Sequence, residues 1–426
     1  MQKPLIFIHG YSERAGDLQS LSVNLSSALN RPIQTMLLSD YITLDDQVTM
    51  ADLVQGMHYA WQAHQLPTDP QSVDVVVHSL GGLVLRAFLR TYFPKVSPIA
   101  RCVMLASPHF GSPLAHQGQA VIGRIIKGWH FKRPFEVGLK LLSALELGSS
   151  YTWQLAWWDR YGAGRCLYDQ MLTTILIGDG SLHGLEALCR DEGSDGVVRI
   201  ANANLDSACV NIQWQNPSEQ PTVDIHQYTS QTALAILPGE NHRTLTGGEG
   251  GFTSQVIESI QAGLSVTPQS FPDWQKLCAD KRAQYDHSSH ISSYSALTVR
   301  VQDDQGFDID DYHLAFTEAN QVLHPLTTAW QTQVMCSVHV FRHRHAYRQL
   351  YLNQSILASQ PFTDLRLGVY PAQVFDGSGA GYPVIDGQCY HTCAFNPDWI
   401  QPNQTTCLTI TLPRLHRCFD WVRPSG

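Results

Sequence analysis

The sequence predicts an α/β fold with a parallel sheet for residues 1–265, a linker at 266–295, and an antiparallel β-sandwich-like domain at 296–426. Three observations carry this division. Apolar runs at residues 3–9, 73–77, 102–106 and 172–177 have the length of strands, and the second passes directly into a helical apolar pattern at Leu83. Beyond residue 296 the apolar period becomes two, at 297–301, 333–340, 364–370 and 405–412, with turn-rich connections. At 426 residues the chain exceeds one ordinary domain, and its 43% hydrophobic content is that of a globular protein.

The first run ends in His9-Gly10-Tyr11, where glycine lets the chain turn off the strand end and aim the N–H of Tyr11 into a cleft. The second run meets its helix across His78-Ser79-Leu80-Gly81. A serine on so tight a strand-to-helix turn is thrust out of the sheet, within reach of a histidine base. The helix that follows turns the N–H of Leu80 toward any oxyanion formed on a substrate. The pattern G-x-S-x-G asks for glycine at position 77, and this chain has Val77 instead. The third run leads into Ser107-Pro108-His109-Phe110-Gly111-Ser112-Pro113.

In this order, His-Gly, His-Ser-Leu-Gly-Gly and Ser-Pro-His-x-Gly-Ser-Pro resemble the lipase branch of the α/β-hydrolases. That branch holds bacterial triacylglycerol lipases and related phospholipases and esterases, including lipase effectors of type VI secretion. The resemblance covers residues 1–265 and implies an α/β-hydrolase fold with a triad in the order Ser, Asp or Glu, His. Residues 193–198, Gly-Ser-Asp-Gly-Val-Val, are similar to the Asp-Gly-x-Val loop on which such lipases carry the acid, which nominates Asp195. Asp179, directly after the run 172–177, is its rival, while Asp191 and Glu192 read as solvated loop charges. Residues 233–242 have the shape of a last strand and its loop, and their Asn-His ending nominates His242 as the base. His9 and His109 are expected to shape the cleft, and His78 to fill the variable elbow position.

The segment 111–170 is far longer than the usual connection between strands and is dense in large apolar residues, including Trp129, Phe135, Trp153 and Trp157. It is expected to cap the cleft, with these four residues lining a pocket for acyl chains. The alternative is a second structural layer buried against the core. In the linker a short helix is expected around residues 274–285. Farther on, His339, His343 and His345 are expected on one face of a half-exposed strand, and Asp303-Asp304-Gln305-Gly306 in a hairpin turn rather than a calcium loop. Cys389-Tyr390-His391-Thr392-Cys393 suits no standard structural zinc site, and Cys389, Cys393, Cys407 and Cys418 can pair only in an oxidising space.

A net charge of −9 without a basic cluster argues against nucleic acid as a partner, and makes any transient membrane contact apolar rather than electrostatic. Met1-Gln2-Lys3 leads directly into the first strand, and no apolar run is long enough to span a bilayer. Synthesis in the cytoplasm is expected, with export, if any, by a route such as type VI secretion. The resemblance then adds a secretion-apparatus, chaperone or immunity protein as a partner. Together the residues point to a serine ester hydrolase acting on lipid, phospholipid above all, with no cofactor. A carboxylesterase, a lipid acyltransferase and a catalytically silent binding protein on the same scaffold are the alternatives.

Overall fold

The computed structural model describes residues 3–9, 15–41, 48–116, 139–181, 192–215, 220–227, 231–248, 251–288, 293–318, 328–359, 364–372, 380–381 and 391–416. The chain forms two units: Met1–Asp206 with Tyr228–Ser292, and Ser207–Gln227 with Ser293–Gly426.

In the first unit, strands β1 (Leu5–His9), β2 (Ile33–Leu37), β3 (Val73–His78), β4 (Ile99–Leu105) and β5 (Leu172–Gly178) lie in one sheet. Strands β6 (Ser207–Gln213) and β7 (Thr222–Gln227) leave for the second unit, and β8 (Thr232–Leu237) returns to the first. The sheet order is β2-β1-β3-β4-β5-β8 and every pair is parallel. Parallel sheets are covered on both faces, and β3 is accordingly buried at all of its positions. Asp74 is the charged residue within β3, and Arg31 at 2.7 Å and Arg101 at 2.8 Å neutralise it.

Helices α1 (Ala15–Leu29), α2 (Met50–Ala63) and α3 (Leu80–Tyr92) follow the early strands. Thr49 and Asp52 close a reciprocal capping box at the start of α2. Leu53, Met57, Ala60 and Trp61, at helical spacing, carry α2 into the core that the strands share.

The described part of the long insertion is α4 (Leu139–Leu145), α5 (Ser150–Ala156), a π-turn at Trp157–Tyr161 and α6 (Cys166–Gln170). Leu141, Leu142, Leu145 and Leu155 belong to the same buried cluster as β3 and β4, so the described part of the insertion packs against the core. Residues 117–138, with Trp129 and Phe135, lie outside the described residues.

After α7 (Ile200–Ala203), β6–β8 and α8 (Ser254–Ser265), the expected linker is the long helix α9 (Phe271–Ser288). The Trp274 indole N–H donates to Thr174 Oγ1 at 3.0 Å, and Phe271 and Cys278 bury against Ala233 of β8. Residues 271–288 are therefore part of the first unit, and the break falls after them rather than at 265.

The second unit contains β9 (Tyr294–Asp303), β10 (Tyr312–Glu318), α10 (Thr328–Val334), β11 (Met335–Val340), β12 (Tyr347–Asn353) and α11 (Gln354–Ser359). The chain continues through β13 (Leu365–Pro371), β14 (Ala380–Gly381), β15 (His391–Ala394), β16 (Thr405–Leu412) and β17 (Leu415–His416). One sheet has the order β11-β12-β9-β16-β6-β7, a second β10-β13-β15, and β14 pairs with β17. Val210, Val299 and Leu408 of the larger sheet share a buried cluster with Phe316, Leu367 and Val369 of the smaller one, as in a sandwich. The larger sheet is mixed where an antiparallel one was expected: β16 runs parallel to both β6 and β9. The apolar period is two in either case, so the pattern carries no direction. Residues 328–334, expected in part as strand, are helical. The expected histidine stripe is broken because β11 ends at Val340, leaving His339 on the strand and His343 and His345 in the exposed turn that follows.

Candidate active site

Ser79 links β3 to α3 with φ 53° and ψ −131°. A non-glycine residue holds such a backbone only when its surroundings enforce it. Here the Ser79 N–H donates to Leu105 O at 2.9 Å and the Gly82 N–H donates to Ser79 O at 3.0 Å. Val77 fits because it lies wholly within the sheet, between Ile8 and Met104 of the neighbouring strands. Close approach occurs instead at Gly82, where a Cβ would lie 2.2 Å from Ser107 Oγ. Leu80 opens α3, so its N–H has no acceptor within the helix. Tyr11 lies outside the described residues.

The structure brings Ser79, His242 and Asp195 together. His242 Nε2 is 3.1 Å from Ser79 Oγ, and His242 Nδ1 is 2.8 Å from Asp195 Oδ2. The other oxygen of Asp195 accepts the N–H groups of Val197 at 2.9 Å and Val198 at 2.7 Å. Asp195 is fully buried and His242 nearly so. Their loops are tied directly, since the His242 N–H donates to Asp195 O at 3.0 Å. Asn241 Oδ1 accepts from the N–H groups of Arg243 and Thr244, an Asx turn that sets the direction of His242.

Asp179, the rival acid, follows β5 directly. Its Oδ1 accepts the Gly239 N–H at 2.6 Å and so holds the turn that leads into His242. Beside it, Gly178 admits the His242 loop: a Cβ there would lie 1.9 Å from Glu240 O.

The Ser-Pro-His-Phe-Gly-Ser-Pro segment braces the loop that carries Asp195. Ser112 Oγ donates to Val197 O at 2.6 Å, and the Asn202 amide donates to the carbonyls of Phe110 and Gly111. His109 is completely buried, 3.4 Å from Arg86 Nη1, and burial followed by the charges of Arg86 and Arg160 drives its pKa well below the usual range. Arg86 of α3 makes a bidentate pair with Asp159 on the π-turn, at 2.7 and 2.9 Å, and Tyr168 donates to the same carboxylate. The described part of the insertion is thereby fastened to the helix that begins at Ser79. Composition gave no signal for Asp159 or Asn202, since their partners are remote in sequence. Trp153 is buried on α5, whereas Trp157 on the π-turn is exposed and meets Tyr161 edge-on.

His9 and His78 stand beside the site. They are register partners on β1 and β3, and His78 Nδ1 lies 3.3 Å from His9 Nε2. Burial, then the neighbouring charge of His242, pushes His9 down to about 4 and His78 well below its ordinary value.

Among the described residues no three His, Cys, Asp or Glu side chains converge as metal ligands, and no helix is long and apolar enough to cross a membrane. Cys393 and Cys407 are free thiols, while Cys389 and Cys418 lie outside the described residues.

Comparison with known proteins agrees with the fold. The family described as PGAP1-like alpha/beta domain matches residues 1–131. Among curated proteins no sequence matches. Phospholipase PlaB from Legionella pneumophila is 23% identical with a TM-score of 0.78, covering 96% of this chain and 94% of that one. Its complex with thio-NAD gives a TM-score of 0.77 at the same identity and coverage. Lipase BlEst2 of Bacillus licheniformis, in mature form, is 15% identical over 65% of this chain and 91% of that one, with a TM-score of 0.38. By fold the chain is an α/β-hydrolase, in the form that phospholipase PlaB has.

Proposed function

We propose that the chain is a serine ester hydrolase releasing fatty acid from lipids, glycerophospholipids above all, through Ser79, His242 and Asp195. The observation that carries the reading is the unbroken run of hydrogen bonds from Asp195 through His242 to Ser79 on its strained turn. Ser79 Oγ attacks the acyl carbonyl while His242 Nε2 takes its proton, and Asp195 fixes the tautomer and stabilises the imidazolium. The Leu80 N–H, with that of Tyr11, receives the oxyanion. Collapse of the tetrahedral adduct expels the alcohol, which takes the proton from His242. Water then attacks the acyl-enzyme with His242 as base, and fatty acid leaves with Ser79 restored.

The preference for phospholipid is supported by the described activity of PlaB, whose fold spans nearly the whole chain. Contact with a membrane surface is apolar, because a net charge of −9 opposes attraction to anionic lipid. If the protein is exported, the route is one that needs no cleaved leader, such as type VI secretion, and a secretion-apparatus, chaperone or immunity protein is then its partner. The test is fatty-acid release from phosphatidylcholine and phosphatidylglycerol vesicles, a triacylglycerol emulsion and a short-chain ester. Faster release from phospholipid is expected. Release from the short ester alone would make the protein a carboxylesterase, transfer of the acyl group to an added alcohol would make it an acyltransferase, and no reaction would end the reading.

A further inference from the structure

His9, His78 and His242 stand in a row. Strands β1 and β3 both end at histidine, and their parallel register puts the two rings on the same face of the sheet. The rings of His9 and His78 are 5.1 Å apart and tilted by 44°; those of His78 and His242 are 4.7 Å apart and tilted by 48°. All three are buried. His9 Nδ1 has no hydrogen-bond partner among the described residues, while the ring of His78 also faces the backbone of His242 as an acceptor. The ring of His78 thus stands between those of His9 and His242 and lies against the imidazole of His242. Burial keeps His9 and His78 neutral at neutral pH.

The hydrogen bond from His242 to Asp195 leaves one motion open, rotation of the imidazole about the Nδ1···Oδ2 line. In the resting enzyme Ser79 opposes it from the other side. In the acyl-enzyme Oγ is esterified and has no proton to donate. At that stage the ring of His78 is the contact that keeps Nε2 aimed at the reaction centre. We propose that His78, anchored by His9, is a positioning residue for His242 whose effect falls chiefly on deacylation. The inference rests on the hydrolase reading above. A neutral ring serves this role where a cation would not, because it faces the imidazolium formed during proton transfer without repelling it.

The experiment is pre-steady-state hydrolysis of a p-nitrophenyl ester by the full chain, with labelling of Ser79 by a fluorophosphonate measured in parallel. His78→Ala is expected to lower kcat about 10–100-fold, the range for a misplaced catalytic group, and to lower KM with it as deacylation becomes limiting. A burst of nitrophenol should appear or grow, while Ser79 labelling slows by less than kcat does. His78→Phe, which restores a ring face, should recover kcat to within about threefold of the wild type, a recovery that a need for the imidazole nitrogens would prevent. His78→Gln keeps polarity without a ring and should resemble His78→Ala, which covers the case in which the alanine variant does not fold. Wild-type burst and kcat in folded His78→Ala or His78→Gln would overturn the inference and leave the hydrolase reading intact. A wild-type protein with neither labelling nor turnover would overturn the hydrolase reading and this inference with it.

Discussion

Two buried aspartates, one in each unit, are built almost alike. Asp195 Oδ1 accepts the N–H groups of Val197 and Val198; Asp303 Oδ1 accepts those of Gln305 at 3.0 Å and Phe307 at 2.8 Å. Each then offers Oδ2 to one remote side chain. For Asp195 that is His242 at 2.8 Å; for Asp303 it is Arg414 at 3.0 Å. The local turns differ by one residue in the second donor, and the larger difference lies in the third partner. An imidazole can pass on a proton and here reaches Ser79, while a guanidinium keeps its proton at any working pH. The one turn holds an imidazole against Ser79 and the other holds a guanidinium.

The largest expected effect concerns the units that hold the two turns. Cutting the chain after residue 265 keeps Ser79, Asp195 and His242, but strips β6 of its parallel partner β16 and β8 of its cover α9. An exposed edge and an opened apolar face favour aggregation. The fragment is expected to be insoluble, and a soluble, active 1–265 fragment would show that the two-unit division is wrong.

Asp195→Asn should keep the fold and lower kcat by about 10⁴-fold, because an amide favours the wrong tautomer of His242. Asp303→Asn should leave kcat unchanged and lower stability by about 1–3 kcal/mol, as expected when a buried charged hydrogen bond is lost. Parallel kinetics and urea unfolding check both. Equal kinetic effects would erase the distinction between the turns.

How much of this was legible in the sequence follows the same line. Strand periods, the elbow and the Asp-Gly-Val-Val loop are local features, and local features can be read. Val77 weakened the motif on paper, yet it is harmless here because Gly82 provides the close approach. The direction of β16, the membership of β6 and β7, and the packing of residues 139–170 depend on partners far along the chain. For the same reason the sequence did not show that Asp195 meets the His242 ring while Asp179 meets the Gly239 N–H. The apolar density of the insertion gave no means to tell a cap from a buried layer, because both need the same residues.

Acid should weaken the first unit more than the second, because His78 and His109 of the first are also held well below their ordinary values. Burial holds His9 in the first and His391 in the second at about 4, against an ordinary 6.5. As pH falls below about 6.5 the unfolded chain takes up protons that the folded one refuses, so stability declines until about pH 4. By pH 5 the loss is roughly 2 kcal/mol per group. Urea unfolding at pH 7.5 and pH 5 checks it, and stability that rises toward pH 5 would contradict the sign.

A smaller effect sharpens the contrast between acid and scaffold. Asp179→Asn can still accept from Gly239, through its amide oxygen, and should change kcat by less than about tenfold. A loss as large as that of Asp195→Asn would make Asp179 the working acid.

The central claim is that Ser79 is a nucleophile activated by His242. A fluorophosphonate adduct located by peptide mass spectrometry tests it most directly. Modification of the wild-type chain at Ser79 is expected, abolished by Ser79→Ala and slowed by orders of magnitude in His242→Ala. Modification at another residue, or none in the folded wild-type protein, would contradict it.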